Sequence, residues 1–196
     1  RAAASSSSTS TLEDPRVYQC QLASVSLLMD APHQCGDWLI EYDCMDTLLQ
    51  MLQTQVSEVV DRSGSGPTKL MPILVVLKKF ASTNSKILKS VKEFIFPLDA
   101  ETDTFQPKAK AEMGKCGHQG LGAKNMAPLD APKGSLRWKL IRLMTWTESY
   151  TKRATGELLW TLCGNDPREF VLRTGLGNAL PLLSLKGHIQ LPAGAT

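Results

Sequence analysis

The sequence predicts an all-α fold, and three observations predict it. Apolar residues return at the i, i+3, i+4, i+7 spacing of one helix face in segment after segment. The strict alternation of a half-buried strand is nearly absent, and short clusters of Gly, Pro, Ser, Thr and Asn punctuate the chain between the periodic segments. No such segment can bury its apolar face alone, so the expected architecture is stacked helical pairs or triplets, an armadillo/HEAT-like α-solenoid forming part of a repeat array. The absence of a clean fixed period leaves a compact helical bundle open beside it.

Residues 1–13 are a Ser/Thr-rich lead with nothing to bury, which cannot offset the entropy of ordering it. Helical repeats are expected over 14–96. The first helix carries Val17, Cys20 and the run from Ala23 to Met29, with Pro15 near its start and Pro32 beyond its end. From Asp37 to Val60 the spacing of Trp38, Leu39, Tyr42, Met45, Leu48, Leu49, Leu52 and Val56 gives one long helix or two joined by a kink, stopped by Ser63-Gly64-Ser65-Gly66-Pro67. Leu70, Ile73, Leu74, Leu77 and Phe80 form the next, and Ile87, Val91, Phe94 and Ile95 another beyond the polar turn at Thr83-Asn84. Residues 97–134 are rich in glycine and proline and read as a flexible insertion, well beyond the roughly 12–15 residues at which unstructured connections become uncommon. Periodicity resumes over 135–188, through Leu136, Leu140 and Leu143, then Leu158, Leu159 and Leu162, then Phe170 and Val171, then Ala179, Leu182 and Leu183, before a tail at 189–196.

Composition excludes several functions. A chain of 196 residues with 42% hydrophobic content can form a core, and a net charge of +3 from 22 basic and 19 acidic side chains is too balanced to announce nucleic acid or an anionic membrane as the main partner. The five scattered cysteines, Cys20, Cys35, Cys44, Cys116 and Cys163, fit a reducing compartment. No apolar run approaches the roughly 20 residues of a membrane-spanning helix, and the opening Ser/Thr/Ala tract lacks the apolar middle of a secretory signal. The first residue is Arg1 rather than Met, which suits a fragment or a processed product.

Short motifs favour structure over chemistry. The stretch from Thr174 to Asn178 holds Gly175 and Gly177, but it lacks the third glycine of a dinucleotide fingerprint, the preceding strand, and the Lys-Ser/Thr end of a phosphate loop. It reads as a junction in which Pro167 opens a helix containing Phe170, Gly175 caps that helix in the left-handed conformation, and Asn178 starts the next. His33 and Cys35 with Cys116 and His118 are a weak candidate for tetrahedral zinc, because C-x-H is not a usual structural spacing. The three histidines His33, His118 and His188 assemble no nucleophilic triad, and the acid pairs Asp43/Asp46 and Asp99/Glu101 read as solvated. No catalytic residue, metal site or cofactor is therefore expected. Basic residues gather at Lys78, Lys79, Lys86, Lys89 and Lys92, and again at Arg137, Lys139, Arg142, Lys152 and Arg153. A solvated helix face accounts for each singly; aligned, they would form a basic strip for an acidic or carboxylate-ended peptide helix.

The C-terminal third carries a longer pattern. GSLRWKLIRLMT, from Gly134, and GELLWTLCGNDPREFVLRTGLGNALPLLSLKG, from Gly156 to Gly187, resemble the synembryn family, the "resistance to inhibitors of cholinesterase" exchange factors for heterotrimeric G-protein α subunits. Upstream, LVVLKKFASTNSKILKSVKEFIFPL is similar to the family's helix, Ser-Thr-Asn turn and basic helix. The resemblance implies an armadillo/HEAT-like cytoplasmic protein, active also at the cell cortex, that binds the GDP-loaded α subunit, promotes GDP release, holds the nucleotide-free state and assists α-subunit folding. It implies no covalent chemistry and no cofactor, no nucleic acid and no transmembrane segment, with any contact with the inner face of the plasma membrane made through the partner. Family chains are longer, so this sequence corresponds mainly to the later repeats. Asn84, Lys86, Lys89, Arg137, Lys139 and Arg142 are the candidate partner contacts, and Pro167, Phe170, Gly175, Gly177 and Asn178 the structural motif. The alternative is a helical-repeat interaction scaffold without exchange activity.

Overall fold

A computed structural model describes residues 15–61, 69–97 and 131–189. The expected Ser/Thr-rich lead, nearly all of the 97–134 insertion and most of the tail lie outside the described residues. Among the described residues every regular element is helical, so the all-α expectation is met.

Helix α1 (Pro15–Asp30) accepts proline in its first turn, where the missing N–H has no intrahelical partner to lose. Its one fully buried side chain is Val25, which marks it as an edge helix. Helices α2 (Cys35–Glu41) and α3 (Cys44–Asp61) resolve the long periodic segment into two. The break falls at Asp43, held at φ 54°, a left-handed conformation that Asp tolerates better than most residues. In α2, Gly36 lets the backbone approach its neighbours: a Cβ there would stand 3.1 Å from Cδ1 of Phe80 and 3.4 Å from Cδ1 of Ile87.

Helix α4 (Leu70–Ala81) organises the core. Ile73, Leu74, Val76, Leu77 and Phe80 are all buried, as expected of a helix apolar on more than one face. It packs against α1, α3, α5 and α7. Its end is tied to α1 by Lys79, whose Nζ donates to the carbonyls of Met29, at 2.7 Å, and Ala31. An ammonium group thus sits at the negative end of α1's dipole, where the last carbonyls lack helical donors. Helix α5 (Ser85–Ile95) begins at Asn84, whose Oδ1 accepts from the amides of Lys86 and Ile87.

The four later helices are α6 (Leu136–Leu143), α7 (Ser149–Leu162), α8 (Pro167–Thr174) and α9 (Leu176–Leu185). Ser135 caps α6 through Trp138 N–H, and Asp166 caps α8 through Arg168 N–H, with Pro167 at the first helical position. Phe170 is fully buried and meets Trp160 edge-on, with ring centroids 5.4 Å apart. The α8–α9 junction differs in detail from the sequence expectation. Gly175, at φ 85° and ψ 144°, ends one helix and begins the next in a region open essentially to glycine alone, rather than in the left-handed helical well. Helix α9 therefore starts at Leu176, and Asn178 lies inside it, its Nδ2 donating to the carbonyl of Thr174 at 2.7 Å.

α1, α4 and α7 form one row, α2 rests on α5, and α3 rests on α6. One contiguous apolar core, running from Val25 to Leu183, draws side chains from every described helix.

Candidate functional site

Two helices of the central row present matching stripes to solvent. Met71, Leu74, Val75 and Lys78 of α4 and Tyr150, Arg153, Ala154 and Glu157 of α7 occupy i, i+3, i+4 and i+7 on their own helices, and together line a groove of ≈ 430 Å³. The remaining faces carry core residues such as Leu70, Leu77, Leu158 and Leu159, and Leu74 in the floor is itself fully buried, so the groove is held on packed helices. Tyr150 is 75% exposed, an aromatic body with a polar tip at the groove's mouth.

The groove's charge is unequal. The Glu157 carboxylate is engaged by Lys186 at 3.1 Å, whereas among the described residues no salt bridge takes up Lys78 or Arg153. Two cations therefore face an apolar floor of Met71, Leu74, Val75 and Ala154, which suits a ligand that is partly apolar and partly acidic.

The six basic or polar residues singled out from sequence do not all lie on one surface. Lys86 and Lys89 are exposed on α5, where Lys89 is 3.8 Å from Glu93, a pair too solvated to be worth much. Arg142 is exposed on α6 and stacks on Trp138, 4.8 Å from the ring centroid. The other three are engaged within the fold. Asn84 caps α5 and its Nδ2 donates to Asp37 at 2.8 Å, tying α5 to α2. Lys139 is buried, with Nζ 2.6 Å from the Asp61 carboxylate and 3.0 Å from the Ser57 hydroxyl, tying α6 to α3. Arg137 is buried, donates through Nη2 to the Arg173 carbonyl at 3.2 Å and lies over Phe96. Lys78 and Arg153 stood out in sequence only as members of basic runs; Tyr150, Met71 and Val75 gave no signal, because nothing local says which helices will lie side by side.

Burial, reinforced by Glu169, pushes the Cys163 thiol from 9.0 up to about 12, which makes it a packing group rather than a nucleophile. Burial also lowers the Arg173 guanidinium from its ordinary range, although it remains paired with Glu169 at 2.9 Å. Among the described residues no cluster of three or more His, Cys, Asp or Glu is placed to hold a metal, and Cys116 and His118 of the zinc alternative lie outside them. No described helix is long and apolar enough to cross a membrane.

Comparison with known proteins follows the same helices. Residues 127–192, which include α6 to α9, match the family model described as guanine nucleotide exchange factor synembryn. Chaperone Ric-8A of Mus musculus is 44% identical over 171 residues, covering 84% of this chain and 28% of that protein. Chaperone Ric-8A of Gallus gallus is 28% identical over 178 residues with the same coverage, and that of Danio rerio 25% identical over 191 residues, covering 90% of this chain and 30% of that protein. The chain thus spans under a third of the length of the curated relatives it matches.

Proposed function

We propose that this chain, whose residues 127–192 match the synembryn family model, is part of a guanine nucleotide exchange factor and folding chaperone for heterotrimeric G-protein α subunits. The match over α6–α9 is the observation that carries this reading, and the name chaperone borne by the relatives supports its second half. The packing of α4 against both α1 and α7, of α2 on α5 and of α3 on α6 supports an armadillo/HEAT-like solenoid as the scaffold. The cytoplasm and the cell cortex are where such a partner is met, and membrane contact would come through the partner.

Exchange of this kind needs a surface and no covalent chemistry. A protein that binds the nucleotide-free α subunit more tightly than the GDP-bound form must weaken GDP binding by the same factor, and GTP binding then releases it. The α4–α7 groove, with Lys78, Tyr150 and Arg153, is the contact surface we favour in this chain. Lys86, Lys89 and Arg142 are exposed cations open to further contacts, while Asn84, Arg137 and Lys139 would act by holding α5 and α6 in position.

GDP release from a purified α subunit, followed with and without the chain, tests the proposal. The chain should accelerate release, and reversing two charges, with Lys78→Glu and Arg153→Glu together, should remove at least tenfold of that acceleration. An unchanged release rate with no detectable binding overturns it. Binding without acceleration also overturns the exchange reading and leaves an interaction scaffold.

A further inference from the structure

A second groove lies beside the first on α7 and shares Arg153 with it, and we propose that it docks an acidic, aliphatic segment of a protein partner. Its volume is ≈ 250 Å³, and α7, α9 and the end of α6 contribute its walls. Met144, Pro181, Leu182 and Leu185 supply apolar surface, while Lys152 and Arg153 stand on the α7 side. Gly156 adds no side chain to the floor, since even a Cβ there would already meet Leu182 at 3.5 Å.

Three features point to this occupant. First, the lining residues include two cations and no carboxylate, and among the described residues no salt bridge or side-chain hydrogen bond engages either cation. A partner group that pairs with them must be acidic. Second, Leu185 is 63% exposed at the end of α9 while Leu182, one turn earlier, is buried, so the apolar wall continues out of the core into solvent. A partner's aliphatic side chain would cover it. Third, the volume lies below the roughly 300–1,000 Å³ of small-molecule sites. It suits anchoring side chains of a peptide whose backbone stays outside, the mode in which a helix presents residues at i and i+4 to a groove.

The probe is a fluorescein-labelled 16-residue helical peptide with leucines at i and i+4 flanked by glutamates. Its counterpart has every Glu replaced by Lys, and phosphatidylserine vesicles form a third arm. Fluorescence anisotropy should show saturable binding of the Leu/Glu peptide that weakens as salt rises, and none of the Leu/Lys peptide. Lys152→Glu and Leu185→Asn, both outside the buried core, should each weaken binding at least tenfold with unchanged thermal unfolding, and Lys78→Glu should change it less than twofold. Equal binding of the two peptides overturns the proposal. So does indifference to Lys152→Glu and Leu185→Asn, a loss with Lys78→Glu as large as theirs, or binding to vesicles alone. No α subunit is present in this assay, so its failure and that of the exchange reading are separate results.

Discussion

At Lys139 an ammonium group in a largely buried position meets one carboxylate and one hydroxyl, both from α3. Asp61 is about half exposed and Lys139 is not, so the two partners are not equivalent. Removing the carboxylate strands a buried charge, whereas replacing the lysine with an isosteric apolar chain removes the charge and keeps the packing. Asp61→Ala should therefore destabilise the protein by ~1–3 kcal/mol, and Lys139→Met should cost distinctly less, as read by urea unfolding of both variants. Equal costs would mean that the pair contributes little beyond the lysine's packing. Such a role was not legible in the sequence, where Lys139 looks like any other cation of a basic helix. Burial of Lys139 follows from α6 lying against α3, a contact between residues some 80 positions apart.

Among elements, the helices were legible and their junctions were less so. The helical segments read from periodicity all appear, because that signal is local and each buried face is written in its own spacing. Of the two alternatives for the segment from Asp37 to Val60, one long helix or two, the structure has two; no glycine or proline marks the break, and Asp43 adopts the left-handed conformation there instead. At the α8–α9 junction the two glycines looked alike and are not. Gly175 holds a backbone conformation closed to other residues, whereas Gly177 lies within α9 and a Cβ there would meet nothing within 4 Å. Gly175→Ala should cost ~1–3 kcal/mol, while Gly177→Ala should be neutral or stabilise by up to ~1 kcal/mol; thermal denaturation of the two variants decides it. The Asn84 cap gives a third expectation. Asn84→Ala should lose ~0.5–2 kcal/mol, and hydrogen exchange should show the loss in the first turn of α5 before the rest of the helix.

On the scale of the whole molecule, the row α1, α4, α7 does two things at once. Its inner faces build the core around Leu77, Phe80 and Leu158, and its outer faces leave a groove whose cations have no internal partner among the described residues. The family resemblance was legible because a long, ordered set of residues around Phe170 and Gly175 is far more specific than any short motif. The groove was not legible, since it is assembled from stripes on helices separated by the whole 98–130 stretch. Under the proposed function this surface has to favour one conformation of the partner over another. Such discrimination, rather than tight binding as such, is what releases a nucleotide.

The ratio of two affinities therefore bears most directly on the account: the dissociation constants of this chain for the nucleotide-free and the GDP-loaded α subunit, measured under one set of conditions. Binding to the nucleotide-free form should be at least tenfold tighter, about 1.4 kcal/mol, and that preference should be lost with Lys78→Glu and Arg153→Glu together. Equal affinity for the two forms would contradict it, however tight the binding.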